Sequence, residues 1–73
     1  MKKNPVKKTP LTPREVECLE WLARGLDNHA IGAQLGISVP TVALHLSNAR
    51  TKLGAATREQ ALVLALQKRL IKP

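Results

Sequence analysis

The chain has 73 residues, 44% of them hydrophobic, with a single aromatic residue (Trp21), a single cysteine (Cys18) and a formal net charge of +7. A chain this short forms one domain at most and buries only about 60% of the surface its unfolded state exposes, so its core must be compact. One thiol excludes an internal disulfide and, unless His29 and His45 joined it, a structural zinc site; no run approaches the roughly 18 apolar residues of a membrane span, and no apolar signal segment follows Met1.

An interior of Leu, Val, Ile and Ala favours helices over sheets, and a reducing, cytoplasmic setting is expected. Residues 1–10 combine Lys2, Lys3, Lys7 and Lys8 with two prolines and no apolar periodicity, the composition of a disordered basic arm. Residues 11–73 are expected to hold an all-α domain. Thr12 is a natural N-cap, Pro13 suits the first helical position and Glu15 completes a capping box, so a first helix is predicted over 13–24, with Val16, Leu19, Leu22 and Leu26 on one face and Gly25 past its end. Asp27 or Asn28 caps a short second helix through Ile31 and Leu35, closed by Gly36. Ser38 caps a third, with Pro40 in its first turn, Val42, Leu46, Ala49 and Leu53 inward and Gly54 at its end. Thr57, with Gln60 at the capping-box position, opens a fourth helix running to about Leu70. A helix, a short Gly-containing turn and another helix form a helix-turn-helix.

The charge is unevenly spread: +4 in the first ten residues, −2 over 11–27 and +5 from Asn28 onward. A one-sided basic footprint of this kind fits a polyanionic partner. No Gly-rich phosphate loop, metal-ligand spacing or nucleophile–base pair is present to carry catalysis, and no cofactor is expected. Cys18 reads as a small buried hydrophobe.

The opening Leu11-Thr12-Pro13-Arg14-Glu15, then Gly25, Ile31, Ile37-Ser38, Thr41-Val42, His45, Lys52-Leu53 and on to Arg58 and Ala61, resembles the LuxR-type (GerE-like) helix-turn-helix, from about Leu11 to Ile71. Glu17-Cys18-Leu19 with Trp21, and Lys52-Leu53-Gly54-Ala55, are most similar to its quorum-sensing branch. Full-length members of that branch carry a separate sensor domain, so the residues present correspond to an output module, either part of a larger regulator or a stand-alone one.

The resemblance implies that the third helix enters the major groove of double-stranded DNA. Thr41 and His45, four residues apart on one face, would meet the backbone there, and Lys52 matches a phosphate-contacting lysine. Arg50 and Lys52 also oppose the helix dipole, and Asn28 and Ser38 stand at helix N-termini that both cap and attract anions. Ala43, Leu44 and Ser47 form the outward, base-reading face. Relatives usually place a basic or polar residue at Ala43, so guanine recognition by Arg or Lys is absent there; thymine methyl groups remain open to Ala43 and Leu44, and either kind of base edge to Ser47. Gly32 replaces a usual Ala, a change that puts the stability of the second helix in question.

Residues Ala61 to Leu66 are apolar all round for nearly two turns, more than one inward stripe can hide. The resemblance matches Ala61, Leu62 and Ala65 to inward positions and leaves Val63, Leu64 and Gln67 as a homodimer interface, hence an inverted-repeat DNA site. Two rival readings remain: a sigma-factor region-4-like module that binds RNA polymerase, and a stand-alone antagonist that pairs with a full-length regulator.

Overall fold

In a computed structural model, residues 11–73 are described; the lysine-rich stretch 1–10 lies outside them. The described residues form α1 (Pro13–Ala23), α2 (Asn28–Leu35), α3 (Val39–Lys52) and α4 (Arg58–Gln67), with no strand among them. Each helix begins at a short polar side chain that accepts an amide the helix cannot satisfy itself: Thr12 from Glu15, Asp27 from Ala30, Ser38 from Thr41 and Thr57 from Gln60. Thr12 and Glu15 close the full capping box. Gln60 instead reaches one residue further back, where its Oε1 accepts the amide of Ala56.

The core is aliphatic. Leu19, Ile31, Val42 and Cys18 are its largest fully buried side chains, and Leu46, Ala49, Ala61 and Ala65 fill the space around them. Burying an Ile, Val or Leu contributes roughly 1.5–3 kcal/mol each, so a few such residues carry most of the packing energy here. The small side chains of Ala49, Ala61 and Ala65 leave room where α3 packs on α4. Helix α3 packs against each of the other three, so its inner face is held on all sides. Helices α2 and α3 are bent by 104° across a short break, within the range of a helix-turn-helix.

Gly32 does not weaken α2 in the way helix propensity suggests. It lies against the turn that follows: its carbonyl accepts the amide of Ile37, and a Cβ here would stand 2.6 Å from the Ile37 carbonyl oxygen. The missing side chain is what lets the turn close onto the helix.

The fourth helix ends earlier than expected. After Gln67 the chain takes a left-handed residue at Arg69 (φ 59°), the Arg69 amide bonds to the Leu66 carbonyl and the Leu70 amide to that of Ala65. This is the same paired-bond ending that follows α1 and α3, where Gly25 and Gly54 hold the left-handed position. Because Arg69 is not a glycine, no sequence signal marked the stop. The turn brings Ile71 back into the core at 5% exposure, and the Lys72 amide donates to Glu20 of α1 at 3.0 Å.

Candidate nucleic-acid interface

At 3.6 residues per turn, Pro40, Ala43, Leu44, Ser47, Asn48 and Thr51 fall on one side of α3, and all six are exposed. The stripe is uncharged, and the three residues expected to read bases, Ala43, Leu44 and Ser47, lie in its middle. Leu44 is 57% exposed. Charge stands at its two edges instead.

Along one edge run Thr41, His45 and Lys52. Ser38 Oγ and Thr41 Oγ1 are 2.8 Å apart, and Ser38 Oγ also accepts the Thr41 amide at 3.3 Å. One hydroxyl proton joins the pair, which leaves one free to point outward to an anion. His45 is half-buried and near enough to Glu15 for its charge to act there. Lys52 also has a partner within the chain: its Nζ donates to both oxygens of Glu15, at 2.8 and 3.0 Å. Glu15 is the one buried charged residue among those described, at 2% exposure. Burial alone would raise its pKa, but the Lys52 bond, the Thr12 amide and the charges of Lys52 and His45 outweigh burial and hold the carboxyl below its ordinary value.

Along the other edge lies Arg50, whose Nη1 donates to the Ala55 carbonyl at 3.0 Å. Arg58, in the first turn of α4, reaches the same place, and its Nη2 donates to Asn28 Oδ1 at 2.8 Å. Ala43, Leu46, Ser47, Arg50 and Arg58 line a shallow recess of about 200 Å³ beside the outward stripe. Further along α4, Val63 is 51% exposed, Gln67 is exposed and Leu64 half-buried, while Ala61 and Ala65 face the core. Among the described residues no group of three His, Cys, Asp or Glu side chains is placed to hold a metal ion, and no single helix is long and apolar enough to cross a membrane.

Residues 9–65 match the family of bacterial regulatory proteins described as the luxR family, GerE. The chain belongs to this family. The quorum-sensing-dependent transcriptional regulator RpaR of Rhodopseudomonas palustris is 43% identical over 68 residues, which cover 93% of this chain and 28% of RpaR. The chain thus spans well under a third of the length of such curated relatives. The solved transcription factor GerE has the same four-helix fold, with a TM-score of 0.85 at 37% identity over 89% of this chain and 97% of GerE. VqmA of Vibrio cholerae, solved as a complex with ligand and DNA, gives a TM-score of 0.76 at 32% identity over 93% of this chain and 30% of VqmA. These relatives are LuxR-type regulators carrying a DNA-binding helix-turn-helix, and none is described as an enzyme.

The expected site residues therefore divide. Ala43, Leu44 and Ser47 share one exposed face with Ser38, Thr41 and His45 along its edge, whereas Asn28 and Lys52 are engaged by Arg58 and Glu15. Sequence reasoning assigned no role to Arg58. It lies 30 residues from its partner Asn28, and only the folded arrangement of α2 and α4 brings the two together.

Proposed function

We propose that this chain is a DNA-binding output module that seats α3 in the major groove, pairs with a second copy through α4 and so engages an inverted-repeat promoter site. One observation supports both halves of this reading. Among the described residues, the large hydrophobic side chains left exposed are Leu44 and Val63, one at the centre of the α3 stripe and one on the outer side of α4. An exposed apolar side chain on each contact surface fits a thymine methyl group in the first case and a symmetry mate in the second. The +5 charge beyond Asn28 supplies attraction to phosphates that does not depend on sequence.

Within this reading Ala43, Leu44 and Ser47 meet base edges, while Ser38, Thr41 and His45 donate to one backbone. Lys52 serves by holding the end of α3 against α1. The test is selection from a random DNA library with the wild type and with Ala43→Arg. The variant is expected to gain a preference for guanine at one position in each half-site, worth about 1–3 kcal/mol. An unchanged preference in a folded variant would remove α3's outward stripe from the base-reading role.

A further inference from the structure

A helix lying in the major groove has a phosphate backbone on each side, and α3 offers different chemistry at its two edges. Ser38, Thr41 and His45 serve one of them. From the recess beside Ala43 and Ser47, we propose that Arg50 and Arg58 together seat a phosphate of the second DNA strand, with Asn28 holding Arg58 in position. This rests on the groove-binding reading above and assigns the partner of the edge that reading leaves open.

Three features of the recess carry the inference. First, its polar lining is made of two guanidinium groups and the Ser47 hydroxyl, a set of donors suited to phosphate oxygens. Second, neither guanidinium is neutralised: among the described residues the ion pairs are Arg14–Glu17 and Lys52–Glu15. Glu59 follows Arg58 in sequence without pairing to it, and Asp27, next to Asn28, turns its Oδ1 to the Ala30 amide. Third, each arginine is anchored by one neutral acceptor, the Ala55 carbonyl for Arg50 and Asn28 Oδ1 for Arg58. A guanidinium carries five N–H donors, so a single anchoring bond restrains it and leaves the remaining donors available to a ligand.

The location selects a backbone phosphate rather than a base. Ala43 and Ser47 belong both to the recess and to the outward stripe, so an anion in the recess lies directly beside the bases that stripe would read. Arg58 comes from α4 and not from α3, which means that the contact also ties the proposed pairing helix to the DNA.

The experiment measures affinity for a duplex of random sequence as a function of salt, for the wild type, Arg58→Gln, Arg50→Gln, Arg58→Lys and Asn28→Ala, with helical content checked by circular dichroism. Each Gln variant is expected to reduce the slope of log affinity against log salt by about 0.9, the value for one phosphate neutralised on B-DNA. Arg58→Lys should keep the slope but bind more weakly, since a point charge replaces the fork. Asn28→Ala should bind more weakly while its urea midpoint stays at that of Arg58→Gln or above, as expected of a positioning residue. Wild-type slope in a folded Arg58→Gln, while the wild type itself binds DNA, overturns the phosphate seat and leaves the groove-binding reading standing. No salt-dependent binding by the wild type overturns both.

Discussion

Lys52 Nζ lies 2.8 and 3.0 Å from the two carboxylate oxygens of Glu15, which joins the last residue of α3 to the first turn of α1 across 37 positions of sequence. The carboxylate is buried and the amine is about one-third exposed, so the pair is asymmetric: losing the lysine strands a charge in the interior, whereas losing the glutamate leaves a cation that water can reach. Lys52→Met should therefore destabilise by about 1–3 kcal/mol, short of the roughly 3–5 expected where both partners are buried. Glu15→Gln alone should cost less. The double variant should lose less than the two singles combined and, because its net charge equals that of the wild type, should bind DNA with the wild-type salt slope. A urea titration of the four proteins measures the coupling, and a reduced slope in the double variant would return Lys52 to the phosphates.

The same pair makes stability depend on pH. The Glu15 carboxyl is held below its ordinary value of 4.5 in the folded chain, because the Lys52 and Thr12 bonds and two nearby positive charges outweigh the effect of burial. A depressed folded value means that the stabilisation is complete above the unfolded value and is lost as pH falls through the folded one. The urea midpoints of the wild type and Glu15→Gln should thus differ near neutrality and converge below 4.5. A gap that persists through that window would show that Glu15 contributes by packing and not by its charge.

Arg69 occupies a left-handed position at φ 59°, where an L side chain is disfavoured by about 1–2 kcal/mol relative to glycine. Glycine relieves that strain but also loosens the unfolded chain. Arg69→Gly should raise stability by about 0.5–1 kcal/mol, read as an upward shift in thermal midpoint with no change in helical content. A fall would mean that the arginine side chain, which lines a cavity with Val16 and Glu20 of α1, contributes more there than its backbone strain costs.

The elements most legible in the sequence were those fixed by local chemistry. Thr12, Ser38 and Thr57 could be read as helix starts because a capping side chain and the amide it satisfies are three residues apart, and Gly25, Gly36 and Gly54 as ends because glycine tolerates the left-handed turn. Three features that spacing alone did not reveal share a cause. Gly32 looks costly until Ile37 is folded onto it, Arg69 gives no sign of a helix end, and Lys52 looks free until Glu15 is brought beside it. In the same way Arg58 gained significance only through Asn28. Composition and spacing carry no record of which distant residues become neighbours, so the outward stripe of α3 was readable and the partners along its edges were not.

Helix α4 supplies the remaining prediction. Ala61 and Ala65 are turned inward and fully buried, which points Val63 away from the core with 51% of its surface exposed, beside Gln67 one turn on. In a two-fold contact each residue of the patch meets the same patch on its mate, so a substitution is felt twice. Val63→Glu would bring like charges together across the axis, yet in the monomer the position is half exposed and the carboxylate can reach water, so the fold should be little affected. A patch of a few side chains falls short of the roughly 1,200 Å² of a stable interface, so pairing is expected to form on DNA, where two adjacent half-sites hold the copies together. Binding to a duplex with two half-sites should therefore be cooperative for the wild type and lose its cooperativity in Val63→Glu, with affinity for a single half-site lowered only by the added negative charge. Circular dichroism on both proteins confirms that the variant is folded. Cooperativity retained in a folded Val63→Glu protein would exclude this face of α4 from the interface and assign the pairing to another surface.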